Sequence, residues 1–138
     1  MQLSDVKLFS PEIILIFGSI FILLYGIIFT NSKESNKKIL YITLVSLISS
    51  FYCSIYIVDV GTNSFNNLLN NDLYTLFFKI LAFTGTIIIT YISYNYLKDL
   101  DILKPEFFFL ILISLAGILI LISSRNIMSM YLGLELQS

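Results

Sequence analysis

Four long stretches with almost no charge constrain this chain more than any other feature. Residues 13–30 and 39–58 contain no Asp, Glu, Lys or Arg, residues 107–122 contain none either, and residues 73–97 contain only Lys79. Eighteen residues at helical rise span about 27 Å, close to the hydrocarbon thickness of a bilayer. Inside lipid every backbone N–H and C=O must find its partner within the protein, which leaves helices and closed barrels as spanning elements. The runs are continuously apolar and too long for strands, so they read as helices. A fifth apolar run begins at Ile127 and continues to Ser138. The expected fold is therefore all-α: a polytopic transmembrane helical protein with four full spans and the start of a fifth. The expected division is 1–104, an N-terminal three-helix transmembrane segment, and 105–138, a fourth helix with the first part of a fifth.

Composition agrees with a membrane fold. Charged residues are 12% of the chain and mean hydropathy is +0.90, whereas soluble domains carry about 25% charged residues. The formal net charge is −1, without a basic cluster suited to nucleic acid. Histidine is absent and Cys53 is the single cysteine. That set argues against an internal disulfide, and against a zinc or haem site built on His or Cys. Ile, Leu and Phe dominate, beside many Asn, Ser and Tyr, with no Trp; such a bias suits an AT-rich genome, as in many organelles. The start of the chain carries Asp5, Lys7 and Glu12. The apolar run after it is too long for a signal peptide, and the start lacks the Arg-rich, acid-poor character of a transit peptide. A mitochondrial location would then imply synthesis inside the organelle.

The connections carry the orientation signal. Residues 31–38 read as a polar loop with Lys33, Lys37 and Lys38. Asp59-Val60-Gly61, where glycine and acid mark a turn, and the Asn-rich connection at 62–72 have no basic residue. The loop at 98–104 has Lys98 and Lys104, and the short turn at 123–126 has only Arg125. Lys and Arg favour the inner side, so the N-terminus is expected on the outer side. The first and fourth runs both follow a Pro-Glu pair, Pro11-Glu12 and Pro105-Glu106. Proline suits a first helical turn, and a carboxylate there faces the positive end of the helix dipole.

Two ionisable residues interrupt the apolar runs. Glu135 lies eight residues past Ile127, about 12 Å along a helix. A charge in mid-bilayer costs about 2.5–3.5 kcal/mol and ordinarily faces protein or water, often on an ion or proton path. It can therefore serve as a proton-transfer group or as a static hydrogen-bonding group between helices. Tyr131 and Ser138, at i−4 and i+3, share its face and could hydrogen-bond it. Lys79 lies about two turns into the third run. It can snorkel to the interface, form an ion pair or sit on a proton path. Gly85, Ala116, Gly117 and Gly133 suggest close helix approach.

The stretch P-E-F-F-F-L-I-L-I-S-L-A-G-I-L-I-L-I-S-S-R-N-I-M-S-M-Y-L-G-L-E-L-Q-S, 105–138, resembles the fourth and fifth helices of chain 2 of respiratory complex I, the proton-pumping NADH:ubiquinone oxidoreductase. The run L-G-L-E-L-Q-S is its most specific part. S-P-E-I-I-L-I-F-G-S-I-F-I-L-L-Y-G at 10–26 and D-L-Y-T-L-F-F-K at 72–79 agree with it. The resemblance implies an antiporter-like membrane-arm subunit. NADH, flavin, iron–sulfur clusters and ubiquinone would belong to other subunits, with no cofactor in this chain. Glu135 matches the family's fifth-helix glutamate, which takes part in proton transfer and pairs with a lysine on a later, broken helix. That later helix is not in this sequence. A helix stopping three residues after the carboxylate would leave carbonyls without partners in the membrane, so either a second polypeptide carries the rest of the subunit, which is the expectation, or the chain is a truncated product. Other membrane-arm subunits and the lipid bilayer complete the expected partners, with no nucleic acid. The alternatives are a subunit of a monovalent cation/proton antiporter, a structural assembly fragment of the membrane arm, and an unrelated small membrane scaffold.

Overall fold

The computed structural model describes residues 9–29, 33–56, 72–100 and 102–138, with backbone alone for 29 and 33–36. The described residues form five helices: α1 (Ser10–Phe29), α2 (Lys33–Tyr56), α3 (Leu73–Asp99), α4 (Pro105–Ser123) and α5 (Ile127–Gln137). The first four are long and apolar enough to cross a membrane. The glycine-and-acid turn and most of the Asn-rich connection expected between the second and third helices lie outside the described residues.

Local chemistry sets the helix ends. Asp72 has extended backbone before α3, and its N–H donates to Thr75 Oγ1 at 2.9 Å, which satisfies one of the groups a helix start leaves over. Lys104 is extended, with φ −117° and ψ 142°. The residue before a proline is pushed toward that region, so α4 begins sharply at Pro105. One boundary differs from expectation. The polar segment at 31–38 is not all loop, because α2 already runs from Lys33. Lys and Glu are good helix formers, and a polar first turn and a half can extend a spanning helix beyond the lipid.

Helix α4 holds the assembly together. It packs against each of the other four helices, while α5 packs chiefly on α4. Its inward positions Phe108, Leu112, Leu115, Ala116 and Leu119 are buried and recur at three- and four-residue spacing, one face of a helix. They meet Leu15 and Ile22 of α1, Leu47 of α2 and Phe83 of α3 in one core. The Phe83 and Phe51 rings stand edge to face, with centroids 5.7 Å apart, a favoured arrangement for two rings.

Small polar residues line the interior. Ser19, Thr43, Ser46, Ser54 and Thr90 are buried, and each hydroxyl donates to a carbonyl three or four residues earlier. Their hydrogen bonding is thus satisfied within the helix, and their small volume lets helices approach. Large apolar side chains such as Phe17, Val45, Phe77, Ile92 and Leu110 point outward, the distribution expected of helices facing lipid.

Candidate functional site

Glu12 and Lys79 form a buried ion pair, with Lys79 Nζ 3.2 Å from Glu12 Oε1. The two residues are each 3% exposed, so water does little to screen the attraction. The sequence leaves Lys79 between an interface anchor, an ion pair and a proton path. The structure turns it inward, where its charge meets the acid rather than snorkelling to the surface. Among the described residues, Glu12 Oε2 has no hydrogen-bond partner.

The end of α1 around Glu12 is pinned to α2 as well. Ser50 Oγ donates to the Pro11 carbonyl at 2.8 Å, and Ser10 Oγ lies 3.0 Å from Cys53 Sγ. The two Pro-Glu starts have therefore diverged. Glu106 is exposed in the first turn of α4, as helix-start chemistry alone predicts. Glu12 is drawn into the protein by a cation on another helix. A readable signal for the pair existed. Each residue is a lone charge in an apolar helix, and the two lie near the ends expected on the same membrane side.

Glu135 belongs to the α4–α5 hairpin, which is built on two glycines. A Cβ on Gly117 would fall 2.7 Å from the Gln137 backbone nitrogen and 2.9 Å from the Gly133 carbonyl oxygen. A Cβ on Gly133 would fall 2.9 Å from the Leu121 nitrogen. The backbones touch there because neither position has a side chain. Ser114 Oγ donates to the Gln137 carbonyl at 3.3 Å. Gly26 plays the same part between α1 and α4, where an added Cβ would collide with the Pro105 ring. Gly85 does not: a Cβ there meets nothing within 4 Å, so its expected role in close packing is not realised among the described residues.

Tyr131 and Glu135 lie one turn apart on the same face of α5, with the phenol beside the carboxylate. Ser138 behaves differently from expectation. Its hydroxyl donates to the Glu135 backbone carbonyl at 3.2 Å, not to the carboxylate, because the chain turns its end back onto the last helical turn. Glu135 itself is exposed, whereas the sequence predicts a buried acid. The reason is positional: α5 meets chiefly α4, and Gly133 is its one buried residue. Lys79 is engaged with Glu12, so the structure does not bring the two sequence-derived ionisable residues together. Glu135, with Tyr131 beside it, is thus a lone carboxylate on an otherwise apolar helix face.

Four membrane-length helices packed through small residues, with a lone acid on the next helix, define a multi-pass α-helical membrane protein. No family model matches the chain. Subunit N 1 of the NADH-quinone oxidoreductase of Solibacter usitatus is 30% identical over 136 residues, covering 98% of this chain and 27% of the relative. Subunit N from Pelagibacter ubique is 32% identical over 136 residues, covering 99% and 28%. Subunit N from Rhodobacter capsulatus is 27% identical over 141 residues, covering 100% and 28%. Along nearly its whole length the chain is similar to subunit N of NADH-quinone oxidoreductases. It spans little more than a quarter of the length of these relatives.

Proposed function

We propose that the chain is part of the membrane arm of a proton-pumping NADH:quinone oxidoreductase and contributes Glu135 to proton translocation. The observation that carries this reading is the lone glutamate of α5, with Tyr131 beside it, within a chain related along nearly all its length to subunit N. An acid on an apolar spanning helix is costly unless it meets protein or water. The exposed face of α5 is therefore where the rest of the subunit would pack and bury it. The rest of the subunit would supply the basic partner that tunes the acid. Helices α1 to α3 form the N-terminal segment, and α4 with α5 opens the antiporter-like repeat. The chain does no redox chemistry itself.

The mitochondrial inner membrane, with the N-terminus on the intermembrane-space side, is the proposed location. It rests on the composition bias and on the lysine distribution, since the relatives named above are bacterial. Two experiments test the proposal. Purification in mild detergent should recover this chain with NADH-oxidising subunits. Recovery with a cation/proton antiporter and no NADH oxidation would overturn it. In the assembled complex, Glu135→Gln should lower proton pumping per NADH oxidised; unchanged pumping would remove Glu135 from the proton path.

A further inference from the structure

The outer surface between α1 and α2 carries an apolar groove of about 600 Å³. Its walls are Phe17 and Phe21 of α1 and Tyr41 and Val45 of α2, and its floor is Gly18 and Ser46. The floor is low because Gly18 has no side chain: a Cβ there would stand 2.8 Å from Ser46 Cβ. The hydroxyls bordering the groove are already occupied. Ser46 donates to the Thr43 carbonyl at 2.8 Å and Ser49 to the Ser46 carbonyl at 3.0 Å. What the groove offers a ligand is therefore almost entirely hydrocarbon.

One end of the groove is charged. Lys38 precedes Tyr41 and Ile42 by three and four residues and Val45 by seven, so it continues the stripe of α2 that lines the groove. Lys37 precedes Tyr41 by four. Both lysines are exposed, and residues 37–56 are the apolar window of α2, so the lysines stand where that helix leaves the membrane. Tyr41, an amphipathic ring suited to a membrane interface, sits between the lysines and the apolar wall. From Tyr41 to Ser49 the groove follows α2 for about 12 Å. Apolar below and doubly cationic at the rim, it has the form of an acyl chain under an anionic headgroup.

We infer that this groove is a binding site for an anionic phospholipid, with an acyl chain between Phe17, Phe21 and Val45 and the phosphate held by Lys37 and Lys38. The inference depends on α1 and α2 spanning the membrane and not on the proton role of Glu135. The site selects its lipid by charge, because the hydrocarbon part fits any phospholipid of that leaflet. Each juxtaposed lysine strengthens attraction to an anionic surface appreciably.

The test uses membranes containing the assembled complex and two probes, phosphatidylglycerol and phosphatidylcholine, each with a photoactivatable group in the acyl chain. Phosphatidylglycerol should cross-link within residues 14–21 and 41–49, and phosphatidylcholine at least tenfold less. Replacing Lys37 and Lys38 together by Gln should bring the two lipids to equal yield, and Val45→Trp, which fills the groove, should abolish both. All three positions are exposed, and the wild-type comparison needs no variant. Equal labelling of the wild type by both lipids, or cross-links from Val45 to another protein helix that covers the groove, would overturn the assignment.

Discussion

Breaking the Glu12–Lys79 pair from one side should damage the protein far more than removing it whole. At 3.2 Å and an effective dielectric constant of 20, the attraction is about 5 kcal/mol, and it is set against the cost of desolvating both ions. Removing one member leaves the other charge buried, at a typical cost of about 3–5 kcal/mol, whereas replacing both with apolar residues of similar volume is often neutral or stabilising. Glu12→Leu and Lys79→Met should each destabilise the chain by about that amount. The double variant Glu12→Leu with Lys79→Met should lie within about 1 kcal/mol of the parent, or above it. Cys53 supplies the assay. It is the chain's one cysteine, it is half-buried, and it lies beside Ser10 at the same end of α1. Its rate of maleimide labelling with temperature, measured in membranes holding the assembled protein, reports opening at that end. Both single variants should label at clearly lower temperature than the parent, and the double variant should recover. Losses that merely add, with a coupling below about 0.5 kcal/mol, would refute the claim that the two charges act as a pair.

Other outcomes follow from the same packing. Gly117→Ala should cost about 1–3 kcal/mol by overpacking, read as loss of disulfide cross-linking between cysteines placed at Ser114 and Gln137. Gly85→Ala should stabilise α3 by roughly 0.5–1 kcal/mol, since a Cβ there has open space and alanine is the better helix former; the thermal labelling assay reads it. Phe83→Ala should cost about 3–5 kcal/mol in that assay, because Phe83 is fully buried in the shared core. Ser50→Ala should cost about 0.5–1 kcal/mol through loss of its bond to Pro11, and should raise the Cys53 labelling rate already at room temperature.

The spans were legible because length and absence of charge are one-dimensional properties. Apolar runs at 13–30, 39–58, 73–97 and 107–122 became α1 to α4 with shifted ends, and the turn before Ile127 fell where expected. The ends moved where polar residues also favour helix, as from Lys33 onward. What stayed hidden depends on neighbours in space. Glu12 looks like a dipole partner until Lys79 is seen across from it. Gly85 and Gly117 look alike in sequence, yet only Gly117 faces a backbone at contact distance. Tyr131 lies beside the Glu135 carboxylate and the Ser138 hydroxyl bonds the backbone carbonyl instead, a distinction that i±3 and i±4 spacing cannot make. The exposure of Glu135 also escapes the sequence, since α5 packs chiefly on one neighbour among the described helices.

The central claim is that the acid on α5 takes up and releases a proton as the enzyme turns over. Infrared difference spectra of the assembled complex, triggered by NADH and quinone, measure that directly. The account predicts a carboxylic acid C=O band that changes on turnover, shifts when glutamate is isotopically labelled and disappears in Glu135→Gln. A difference spectrum that is the same in the parent and in an assembled Glu135→Gln complex would contradict it.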